Sequence, residues 1–167
     1  MARGWTAALL LFAAGCTSSA PKVTGPVLPV NDVPAAVRAV EALSVSSEGH
    51  NYTEINVVPE GVNVFAVTSP GKERAYLYSG GKLGEPGPET ASEGEQFALR
   101  GIPLEQAAKV STYVTKQFKG STVNQIALVT VKPNGLVWAV RSQSGKGGLL
   151  NSLFSPDGKI ISALPAN

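Results

Sequence analysis

Turn chemistry constrains this chain more than any other feature. From residue 52 onward its Val-, Ile- and aromatic-rich runs are short, and each ends at a Gly- or Pro-bearing connector. Runs over 52–58, 62–68 and 74–78 are separated by Pro59-Glu-Gly61 and Ser69-Pro-Gly-Lys72. Runs over 123–132, 136–141, 149–154 and 159–164 are separated by Pro133-Asn-Gly135, Ser144-Gly-Lys-Gly-Gly148 and Pro156-Asp-Gly158. Strand-length apolar runs joined by such connectors predict antiparallel meanders.

A helix is predicted ahead of each meander. Asn31-Asp-Val-Pro34 sets a capping residue beside a proline suited to a first helical turn. Val33, Ala36, Val37, Val40 and Leu43 then recur at helical spacing, with Arg38 and Glu41 on the other side. Ile102-Pro103 opens a second helix to about residue 118, with a stripe of Leu104, Ala107, Val110, Val114 and Phe118. Between the two patterns, 79–95 holds five Gly, two Pro and four Glu without a period and reads as an exposed linker.

Residues 59–69 align over 133–142 with one gap, so that Val64-Phe-Ala-Val67 falls on Val137-Trp-Ala-Val140. The expectation is therefore an α+β protein of two similar units, 32–79 and 96–167, joined by linker 80–95. Each unit is a helix on a three- to four-stranded antiparallel meander, too small to be comfortable alone. Phe65 and Trp138 take equivalent positions as core aromatics, or else as an aromatic floor for a ligand between sheets. Apolar residues occur on both faces of several strands, as with Ile126 and Leu128 against Ala127 and Val129. One face takes the helix, and the sister unit is expected to cover the other.

This element order, with turns such as Ser155-Pro-Asp-Gly-Lys-Ile160, resembles the tandem repeat of the bacterial β-lactamase-inhibitory proteins. It is also similar to PepSY-type modules, small exported domains built from the same parts. Spanning 33–164 in outline, the resemblance implies a protease- or hydrolase-binding role without locating a binding residue.

The N-terminus predicts where such a module resides. Arg3 precedes eight apolar residues, 7–14, that span about 12 Å as a helix, against a hydrocarbon core of about 30 Å. That is the form of a secretory signal rather than a transmembrane helix. It ends in Phe12-Ala-Ala-Gly-Cys16, which resembles the lipobox of bacterial lipoproteins, with Ala13 where the family usually has Leu. The resemblance implies a signal peptide over 1–15 and a lipidated Cys16 facing the extracytoplasmic side of a bacterial membrane. Residues 17–31 carry three prolines and read as a tether reaching roughly 45 Å if extended at ~3.1 Å per residue.

Composition narrows the chemistry. Cys16 is the only Cys and His50 the only His in 167 residues, which removes disulfide frameworks, Cys-based metal sites and His-pair catalysis. Ser69-Pro-Gly-Lys72 has Ser-x-x-Lys spacing but lies in a turn, and residues 144–148 lack the spaced glycine and following hydroxyl of a phosphate loop. No catalytic set, metal site or cofactor is expected. The net charge of +2 does not announce a nucleic-acid binder. It conceals −5 over 16–95 and +6 over 96–167. Either the halves dock through opposite charge, or the basic half faces an anionic partner with Lys109, Lys116 and Lys119 opposite the second helix's apolar stripe. Tyr76 and Tyr78 share one strand face as candidate aromatic contacts. The function expected from these features is a membrane-anchored, non-catalytic module that binds or inhibits an envelope or extracellular protein. The alternative is a carrier of an apolar small molecule or lipid between the halves.

Overall fold

The computed structural model describes residues 27–43, 50–92 and 94–166. The expected leader, Cys16 and the expected tether up to residue 26 lie outside the described residues. No helix among the described residues is long and apolar enough to cross a membrane.

The class is α+β. A 3₁₀ turn (Val30–Asp32) leads into α1 (Val33–Glu41), followed by β1 (Asn51–Val58), β2 (Gly61–Ser69) and β3 (Lys72–Ser79). Three short strands come next: β4 (Lys82–Leu83), β5 (Glu89–Ala91) and β6 (Phe97–Ala98). The chain continues as α2 (Gln106–Gln117), β7 (Thr122–Val131), β8 (Gly135–Gln143), β9 (Leu149–Phe154) and β10 (Ile160–Ala166). The predicted runs match the long strands because each ends where its turn residues demand. Gly71, Gly135 and Gly158 take left-handed φ values of 74°, 73° and 85°, which a side chain rarely tolerates. The bond before Pro133 is cis.

All ten strands form one antiparallel sheet in the order β10-β9-β8-β7-β1-β2-β3-β4, with β5 on β3 and β6 on β1. The two meanders therefore join edge to edge, through β1 and β7. Face-to-face cover by the sister half, expected from the apolar residues on both faces, does not occur. Both helices instead pack on the same side. Val33, Ala36, Val37 and Val40 of α1, with Ala107, Val110 and Val114 of α2, share one core with Tyr52, Ile55, Val64, Ile126, Leu128, Trp138 and Phe154.

The alternation of strand side chains decides the rest. Val64 opposes Ile55 and belongs to the helix-covered side, so its neighbour Phe65, opposite Glu54 and Ala75, points the other way. Trp138 opposes Leu128 and Phe154 on the helix-covered side and is fully buried. Phe65 and Trp138 thus occupy opposite faces and do not coincide. The one-residue gap that set Phe65 on Trp138 shifted the strands out of register: counted from their turns, Gly61 matches Gly135 and Val64 matches Trp138, and a one-residue shift reverses every side chain.

Three boundaries move. Leu28, placed in the tether, is 6% exposed and packs in the core, so the fold begins before residue 30. Leu43 is 57% exposed and lies beyond the end of α1. The 79–95 segment is tied to the sheet: β4 and β5 pair with β3, and Lys72 meets Glu89 at 2.9 Å.

Charge contributes little to joining the halves. The β1–β7 seam pairs Glu54 with Val129, Ile55 with Leu128, Asn56 with Ala127 and Val57 with Ile126. Among the described residues one ion pair runs from the acidic segment to the basic one, Lys132 to Glu95 at 2.8 Å, and both side chains are largely exposed. Such an exposed pair is screened by solvent and contributes little. A backbone ladder and buried aliphatic side chains hold the halves together.

Candidate functional site

With both helices on one side, the opposite face of the sheet carries neither helix, although on it Val137 is fully buried, Ala127 is nearly so, and Ala91 and Gly94 lie against its Thr53–Val129 corner. Register places Asn63 and Phe65 of β2, Glu54 and Asn56 of β1, Gln125, Ala127 and Val129 of β7, Val137, Ala139 and Arg141 of β8, and Asn151 and Leu153 of β9 on it. Apolar and amide side chains interleave over its middle, and charged groups lie toward either end of the strands. Asn56 and Gln125 bridge the seam, with Gln125 Nε2 donating to Asn56 Oδ1 at 3.1 Å.

Two depressions lie on this face. One, of about 360 Å³, is lined by Gln125, Ala127, Ala139, Arg141, Asn151 and Leu153. Arg141 is its only charged group. The other, of about 250 Å³, straddles the seam and includes Thr53, Glu54, Phe65, Glu73, Gly94 and Val129. Gly94 keeps this depression narrow, since a Cβ there would lie 3.2 Å from the Cβ of Thr53. The Thr53 hydroxyl donates to the Glu73 carboxylate. Burial pushes the Glu54 carboxyl above its ordinary range, and the Glu73 charge pushes it further the same way.

A measurable consequence follows from that shift. A carboxyl whose pKa is raised by folding favours the folded state only while protonated, so its contribution is lost as pH rises through the folded value. Glu54→Gln should therefore raise the melting temperature at neutral pH. The gain should shrink to nothing below the ordinary carboxylate pKa of about 4.3, where the wild-type group is protonated folded or unfolded. Melting curves of both proteins across that range check it. A constant difference at all pH values would assign the effect to packing instead.

A third cavity, of about 430 Å³, sits at the end of α2 on the helix-covered side. Phe118, Leu149, Leu150 and Pro165 give it an apolar lining, with Lys119 and Ser142 also contributing. The Ser142 hydroxyl is buried and has no hydrogen-bond partner among the described residues.

The sequence-predicted residues divide unevenly over this geography. Lys109, Lys116 and Lys119 are all exposed, but they lie on or just after α2, across the sheet from the open face. Lys119 alone borders a cavity. Tyr76 and Tyr78 share a face as expected, and it is the helix-covered one, where both are half-buried against the core. His50 is half-buried with its ring 6.0 Å from that of Tyr52. Ser69-Pro-Gly-Lys72 forms the β2–β3 turn, with Ser69 opposite Lys72 in the ladder. Cys16 lies outside the described residues. Glu54, Glu73, Arg141 and the Ala127–Ala139 pair were not singled out from sequence. The available signal was the apolar residue on each face of β7, which announces a second buried surface without saying what buries it.

Comparison with known protein families, with curated proteins and with solved structures finds no match.

Proposed function

We propose that this protein is a non-catalytic binding module of the bacterial envelope, built from two similar helix-meander units and anchored to the membrane through a lipidated Cys16. Its contact surface is the open sheet face, and its partner is a folded envelope or extracellular protein. One observation carries the reading: the sheet has both described helices on one side, and on the other an interleaved apolar and amide middle with Glu54 and Glu73 toward one end of the strands and Arg141 toward the other. A partner fits if it presents an apolar ridge with a cation near Glu54 and Glu73 and an anion near Arg141. Charges placed in this way set orientation and rate of encounter more than affinity. The lipobox and tether supply the envelope location, and the resemblance to inhibitory tandem modules agrees with an exposed sheet as the working surface.

The test is a photo-crosslinking amino acid placed at Phe65, at Ala139 and, as control, at Lys109 in the full chain in cells. One discrete adduct shared by the first two positions and missing from the third is expected. Adducts from Lys109 alone, or none from either sheet position, would overturn the proposal. The cavity beside Phe118 favours a second reading, carriage of an apolar small molecule, though all of its lining lies in the second half rather than between halves. A lipid seen in native mass spectrometry of the purified protein and lost on Leu150→Trp would favour it.

A further inference from the structure

The two edges of the sheet are finished differently. On one side β3 is covered by the two-residue β4 and three-residue β5, and Lys72 and Glu89 pair across that border. Short strands and charges are the usual means by which natural sheets block further pairing. On the other side β10 runs from Ile160 to Ala166 and, among the described residues, has β9 as its only strand neighbour. It reads Ile-Ile-Ser-Ala-Leu-Pro-Ala, without a charge. Its protection amounts to an irregularity between Ile160 and Ser162 and to Pro165 near its end.

Exposed apolar side chains concentrate at this same edge. Ile160, Ile161 and Leu164 are 45%, 44% and 63% exposed. Tyr113 of α2 is also exposed, and it packs edge-on against Phe154, whose register partner is Ile160. An uncharged edge strand with free backbone groups and an apolar flank is a template for strand addition.

We propose that β10 pairs with the β10 of a second copy of this chain, antiparallel across a twofold axis, giving one continuous sheet through two molecules. Two features on the page favour a copy over an unrelated strand. The edge carries no charge, so self-pairing brings no like charges together. The opposite edge is blocked, so association closes at two copies instead of growing into a fibre. A twofold axis perpendicular to the sheet keeps side chains on their own faces. Centred on Ala163, it sets Leu164 of each copy against Ser162 of the other. It also leaves the open sheet faces of both copies on one side, free for the partner of the proposed function, although the pairing does not depend on that function.

Ala163→Cys in the full chain tests the pairing. If Cys16 is lipidated, residue 163 holds the only free thiol, and across such an axis two Cα atoms come within disulfide range. Non-reducing gels should show a covalent dimer whose mass is twice that of the monomer. Ile161→Lys added to the same chain should abolish that band, with circular dichroism unchanged. Thr115→Cys, on the exposed side of α2, should give none. A monomer only from Ala163→Cys, an adduct of a different mass, or a dimer band that survives Ile161→Lys would each overturn the proposal.

Discussion

Trp138→Ala should cost about 3–5 kcal/mol of folding stability, the usual range for removing a fully buried large aromatic side chain. Domains of this size have roughly 5–15 kcal/mol in all, so at least about a fifth of the total is at stake. Three contacts make Trp138 the costliest single residue to remove. It lies fully buried between Leu128 and Phe154 in the ladder, on the side that α1 and α2 cover. Its indole Nε1 donates to the Pro156 carbonyl at 3.3 Å, tying the β9–β10 turn to the core. Truncation would open a cavity in the shared core and leave that carbonyl without its donor. Urea unfolding followed by circular dichroism checks the value, with an expected fall in melting temperature of about 10 °C. Trp138→Phe keeps most of the ring and should lose only about 1 kcal/mol, the net value of one hydrogen bond. Phe65→Ala is the informative contrast. That ring is half-buried on the open face, and its loss should cost clearly less than that of Trp138.

The contrast between these two aromatics shows how far the sequence was legible. Strand lengths and hairpin order follow from residues close together in the chain. Pro59-Glu-Gly61 and Pro133-Asn-Gly135 close their hairpins wherever the meanders go, and the apolar stripe from Val33 to Val40 needs a flat surface whatever supplies it. The assembly of the meanders is not local. Nothing in 123–131 states whether Ala127 and Val129 face a helix, another sheet or solvent. That was settled by β1 and β7 pairing side by side, a ladder between segments some seventy residues apart. Register was lost for a similar reason, since a gap of one residue in an alignment becomes a change of face in a strand.

The site was legible in its composition and illegible in its placement. The sequence carried an acidic half and a basic half, and the open face has Glu54 and Glu73 at one end and Arg141 at the other. That asymmetry is open to two readings from sequence, docking of the halves by opposite charge or a basic half that faces an anionic partner. Among the described residues no ion pair crosses the β1–β7 seam, which leaves Glu54, Glu73 and Arg141 unmatched by one another. Lys109, Lys116 and Lys119, which look like a deliberate stripe when α2 is read alone, are the solvated side of a helix whose other side is core. The residues that form the open face were inconspicuous because their grouping depends on five strands lying in register.

If Cys16 carries the proposed anchor, Cys16→Ser should move the protein from the membrane fraction to the soluble one almost completely. Each buried methylene contributes about 0.8 kcal/mol, so one acyl chain holds a protein marginally and two or three hold it stably. Ser leaves the leader's apolar run unchanged but removes the sulfur to which a diacylglyceryl group is joined. The folded part offers no substitute, since no described helix is long and apolar enough to span a bilayer. The burial of Leu28 also sharpens the geometry, because only residues 17–27 then separate the lipid from the core. At ~3.1 Å per residue that is a reach of about 35 Å at most, comparable to the thickness of a bilayer's hydrocarbon core. The module would work close to the membrane surface, on partners that are themselves there. Fractionation with metabolic labelling by a fatty-acid analogue separates the outcomes. Loss of label together with release supports the anchor. An unchanged membrane fraction in Cys16→Ser, or a wild-type chain that takes up no label, would remove the basis for placing this protein on a membrane.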